Sequence, residues 1–131
     1  MAPPQSPKPV KVTTFPLDSP RHIASYVFGT LLMLAISRRA LIAPGSVIYN
    51  AVIKTPEAAQ TAAKVQDWAF YFVVGAHAVE VPLFAALRLQ KHGVPFFSAL
   101  WWKWSAAVFL AGMGAWRHFG DTVAAAAGKR V

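Results

Sequence analysis

The stretch Trp68 to Leu87, WAFYFVVGAHAVEVPLFAAL, constrains the chain most, because it is apolar over the roughly 20 residues a helix needs to cross a bilayer yet carries His77 and Glu80. Titratable side chains at membrane depth are costly, so they turn towards a bundle interior or a wet cavity and find partners there. His77 and Glu80 are three residues apart and project from one helical face, about 4.5 Å apart along the axis. They form one candidate site. Pro82 cannot donate to the Ala78 carbonyl, which predicts a kink beside the pair if the helix survives it.

Two further apolar runs flank this one, and 56% hydrophobic composition in 131 residues exceeds what a core of that size needs. The pattern predicts an all-α membrane protein with three transmembrane helices, over about 22–43, 68–87 and 97–116, in a membrane domain of residues 20–118. Ser19-Pro20 marks the first helix start and Pro44-Gly45 its end; an interfacial helix is the alternative for that segment. Thr55-Pro56-Glu57 repeats the starting logic for the second helix. Lys91, His92, Gly93 and Pro95 form the turn of a hairpin between the second and third helices. Residues 1–19, with Pro3, Pro4, Pro7, Pro9 and Pro16, read as a disordered basic tail, and residues 119–131 as a short tail ending in Lys129-Arg130. No internal repeat and no strand-like alternation interrupts this helical pattern.

The net charge of +8 comes from Lys and Arg at the ends of apolar runs rather than in a stripe, which favours headgroup contact over nucleic acid. The absence of cysteine removes disulfides and thiolate metal sites. His22, His92 and His118 fall near span ends, so the His77/Glu80 pair lacks further ligands, and neither a metal nor a cofactor is expected. Lys103 reads first as a snorkelling residue near the start of the third span; in the alternative, a span starting at Phe96 matches it in depth with Glu80 across the hairpin, on a face with Ala107, Ala111 and Gly114, which predicts close packing and a Glu80 to Lys103 contact. The tryptophans read as an interfacial belt, with Trp101 or Trp104 lining a ligand cavity as the alternative.

His77-Ala-Val-Glu80, Lys91-His92-Gly93 in the turn, and Leu100-Trp101 followed by Phe109 and Gly112 resemble the family of small eukaryotic multi-span proteins typified by transmembrane protein 254, over roughly residues 68–116. The resemblance implies a multi-pass protein of the endoplasmic reticulum or another endomembrane, with His77 and Glu80 as its signature; a mitochondrial membrane is the alternative.

Two functions fit these residues. The preferred one is a non-catalytic accessory or lipid-binding component with an intramembrane His-x-x-Glu site, whose partners are membrane lipids or another membrane protein. The alternative is a membrane-embedded isomerase of a lipid or sterol-like substrate, with Glu80 and His77 as catalytic acid and base. In either case Trp101, Lys103, Trp104 and Pro82 are the ligand or packing residues.

Overall fold

The computed structural model describes residues 9–128, so the expectations for Pro3, Pro4, Pro7, Lys129 and Arg130 fall outside the described residues. The first helix, α1, covers Pro20–Ser37, with proline in its first turn where a missing N–H costs nothing. It stops at Arg38, whose backbone turns extended, and a single 3-10 turn, Arg39–Leu41, follows. Gln66 holds this end: its Nε2 donates to the carbonyls of Ala35 at 2.7 Å and Arg38 at 3.1 Å, satisfying acceptors that a helix terminus leaves open. An ion pair between Arg39 and Asp67 closes the same corner.

After a π-helical turn at Tyr49–Ile53 comes α2, Pro56–Phe84, started by Thr55, whose side chain accepts from the Ala58 amide at 3.2 Å. Pro82 lies inside α2, and the chain runs on through a π-helical turn at Ala85–Leu89. The hairpin turn follows, and Ser98 caps α3, Ala99–Ala111, by accepting from the Trp101 amide at 3.1 Å. Gly112 then adopts φ +48°, ψ −118°, a conformation open in practice to glycine alone, and α4, Met113–Ala126, leaves in a new direction.

These breaks overturn the expectation of three transmembrane helices. The first helix ends at Ser37 rather than Ala43, and the third apolar run is divided at Gly112 into two shorter helices. Among the described residues one helix, Pro56–Leu89, is long and apolar enough to cross a membrane. The described residues form a bundle of four α-helices. With the three spans go the multi-pass placement in an endoplasmic reticulum, endomembrane or mitochondrial membrane and the partners drawn from it, membrane lipids and another membrane protein.

The core sits where α2, α3 and α4 meet the segment before α1. Trp104 is fully buried at its centre, edge-on to Phe119 at 4.9 Å and to Phe15 at 4.5 Å. Phe84, Leu89, Val108 and Ala115 belong to the same buried cluster. Phe15 arrives from residues 9–19, an extended strap across the bundle rather than a free tail. Val12 of the strap is 2% exposed, its amide donates to the His92 carbonyl at 3.0 Å, and the His92 Nδ1–H donates back to Val10 at 2.7 Å. Buried aromatic and aliphatic area here offsets the entropy of ordering a proline-rich segment.

Candidate functional site

His77 and Glu80 do face inward from α2, but they meet the Gly112 break instead of a facing helix. A broken helix leaves carbonyls without their i+4 donors. The His77 Nδ1–H supplies one, donating to the Phe109 carbonyl at 2.6 Å. A Cβ at Gly112 would lie 2.9 Å from His77 Nε2 and 3.1 Å from Glu80 Oε2, so the pair closes over bare backbone. Glu80 Oε2 is buried without a hydrogen-bond partner. This is a brace at the α3–α4 junction. It does not form the intramembrane His-x-x-Glu site on which the accessory, lipid-binding and isomerase functions rested, and the loss of the three spans overturns those functions.

The other expected residues are dispersed. Lys103 makes no ion pair with Glu80 among the described residues; it stands on the α1 side of α3, beside Phe15, Tyr26 and Leu110 at a cavity of about 550 Å³. Trp104 belongs to the core rather than to an interfacial belt. Pro82 and Trp101 do come together, lining an apolar cavity of about 580 Å³ with Val81, Ala85, Val94 and Phe96.

A different cluster carries more chemistry, where the strap, α1 and α4 meet. His22, from the first turn of α1, stacks on His118 of α4 with ring centroids 4.3 Å apart and planes 26° from parallel. Both imidazoles are buried, at 6% and 1% exposure. His118 has both nitrogens engaged: Nε2–H donates to the Pro16 carbonyl at 2.6 Å, which leaves Nδ1 to accept from the Tyr26 hydroxyl at 2.7 Å. That pattern fixes one neutral tautomer. Burial lowers the His118 pKa, helped by the neighbouring His22 and opposed by the Pro16 carbonyl, Asp121 and Asp18; burial likewise pushes the Tyr26 hydroxyl up.

Asp121 completes the cluster one helical turn beyond His118. Its Oδ2 lies 2.6 Å from Arg21 Nη2 and 3.2 Å from His22 Nε2. Asp18, in the strap, forms no ion pair among the described residues. These groups line a cavity of about 530 Å³ that also includes Ser19 and Thr122. Only five acidic residues occur in this chain of net charge +8, and two of them converge here. Asp121 is thus held by Arg21 and His22, while the Asp18 carboxylate lines the same cavity without an ion-pair partner among the described residues. Among the described residues, no group of three His, Cys, Asp or Glu side chains is placed to hold a metal ion.

Sequence reasoning passed over this site because His22 and His118 were assigned to span ends. One local signal points to it: Asp121 follows His118 by three, the same one-face helical spacing that singled out His77 and Glu80, whereas Asp18 precedes the start of α1 and shares no helix with His22.

Set against known protein families, curated proteins and solved structures, the chain finds no match in any of the three. The resemblance to the family typified by transmembrane protein 254 is corrected accordingly: no family matches residues 68–116, and the break at Gly112 divides the span on which the likeness rested.

Proposed function

We propose that this chain binds a small organic cation of the amine type in the cavity between strap, α1 and α4. The observation that carries this reading is the convergence of Asp18 and Asp121 on a cavity walled by two stacked, buried imidazoles. Concave sites with titratable groups in perturbed environments are the ordinary places for ligands. An ammonium group gains charge-assisted hydrogen bonds from the carboxylates, and the ring faces of His22 and His118 shield it from water. Asp121, already held by Arg21, orients the ligand; Asp18 supplies the unpaired carboxylate.

Calorimetry with matched probes tests this: propylammonium and putrescine against acetate and phosphate. The amines bind and the anions do not, Asp18→Asn weakens amine binding about tenfold, and added salt weakens it further. Preferential binding of phosphate or acetate, or amine binding indifferent to Asp18→Asn and Asp121→Asn together, refutes the proposal.

A second reading assigns the Pro82 and Trp101 cavity to a small apolar ligand, on the ground that its walls are apolar and Trp101 lies in them. His77 and Glu80 are assigned to holding the α3–α4 junction.

A further inference from the structure

Helix α2 turns one side into the bundle and presents an apolar stripe on the opposite side. Gln66, Val73, His77, Glu80 and Phe84 recur at intervals of three, four and seven residues on the side that packs into the bundle. Val65, Trp68, Phe72, Gly75, Val79 and Leu83 fall within an arc of about 80 degrees on the other side, at 100 degrees per residue. Nothing among the described residues covers that second side: Trp68 is 79% exposed, Phe72 75% and Val79 60%. Intervals of three and four residues from Val65 to Val79 are the repeat of a coiled-coil seam, which is buried by a partner helix with the same repeat.

We propose that the partner is a second copy of this chain, its α2 packed antiparallel on the first and crossing it at Gly75. The crossing point carries no side chain: Gly75 lies exposed on the stripe with open space where a Cβ would stand, and a glycine there lets a partner backbone come close. Bulk is complementary about a two-fold axis there. Trp68 and Phe72 of one copy face Leu83 and Val79 of the other, whereas parallel pairing sets Trp68 against Trp68 and leaves a void at Gly75. The charged residue of α2 between Trp68 and Leu83 is Glu80, which faces inward, so two molecules of net charge +8 meet through a neutral strip. Covering this seam removes on the order of 700 Å² per copy, close to the roughly 800 Å² per partner of a standard stable interface.

The chain lacks cysteine, so a single introduced thiol can form a disulfide only with another molecule. Under mild oxidation the proposal expects Gly75→Cys to cross-link at least tenfold faster than Trp68→Cys, because position 75 meets itself at the axis and position 68 does not. Trp68→Cys mixed with Leu83→Cys cross-links as a heterodimer. By light scattering the wild type is a dimer, and Phe72→Glu, at an exposed position, is a monomer with unchanged helix content. A monomeric wild type, or Trp68→Cys joining itself as fast as Gly75→Cys, overturns the proposal.

Discussion

Gly29→Ala tests the packing of α1 on α3 through a single added carbon. At an ordinary helix position this change stabilises by about 1 kcal/mol, because alanine loses less backbone entropy. At Gly29 the new Cβ would lie 2.9 Å from the Leu110 carbonyl carbon, 3.3 Å from Ala111 Cα, and closer still to the Leu110 oxygen. All three are backbone atoms of the last two residues of α3, just before the Gly112 break, so no rotamer change relieves them. The helices must separate by about 1 Å, which loosens contacts along their length at a cost of about 3–4 kcal/mol. Set against the propensity gain, the net loss is about 2–3 kcal/mol, or roughly 8–12 °C in Tm for a chain of this size. Gly120→Ala is the matched control: it is also helical, nothing lies within 4 Å of its added Cβ, and it raises Tm by about 2–4 °C. The assay is thermal unfolding followed by circular dichroism on all three proteins. A Gly29→Ala variant as stable as wild type refutes the α1–α3 packing.

Four further outcomes follow from the same geometry. Gly112→Ala forces a side chain into a glycine-only conformation against His77 and Glu80 and costs about 2–4 kcal/mol, read from urea midpoints. Trp104→Ala empties the core centre and costs about 3–5 kcal/mol by the same measurement. Phe15→Ala releases the strap from Trp104 and His118, and residues 9–19 become sensitive to limited proteolysis while the helix content is kept. His118 has its folded pKa below the unfolded value of 6.5, so the unfolded chain binds its proton first as pH falls. Its contribution to stability is complete above pH 6.5 and is lost as pH drops through the folded pKa; His118→Gln flattens that part of the Tm-against-pH curve.

The helix starts were legible because their causes are local: Ser19-Pro20 and Thr55-Pro56-Glu57 place proline where no N–H is needed, and α1 and α2 begin there. The shared inward face of His77 and Glu80 was legible from helical spacing alone. What they face was not, since Gly112 within an apolar run reads as a small residue in a continuous helix until tertiary contacts set its φ at +48°. The same blindness produced three spans from four helices. Hydropathy measures how apolar a run is and says nothing of where a single glycine or the unwound Arg38 redirects it. The strap shows the opposite error. Prolines correctly indicated a non-helical segment, but its order depends on His92 and His118, which lie 82 and 102 residues away from the strap carbonyls they hold. The cation site shares that property, because its two halves are joined by folding and by no spacing along the chain.

An organic cation seated between Asp18, Asp121 and the stacked imidazoles lies within reach of protons on both rings. Intermolecular nuclear Overhauser effects from the methyl and methylene protons of bound propylammonium locate it directly. The structure predicts cross-peaks to the ring protons of His22 and His118 and to the Thr122 methyl group, all lost in the Asp18→Asn, Asp121→Asn double variant. Cross-peaks to Trp101 and Phe96 instead, or none to either histidine at saturating ligand, rule out a cation in this cavity.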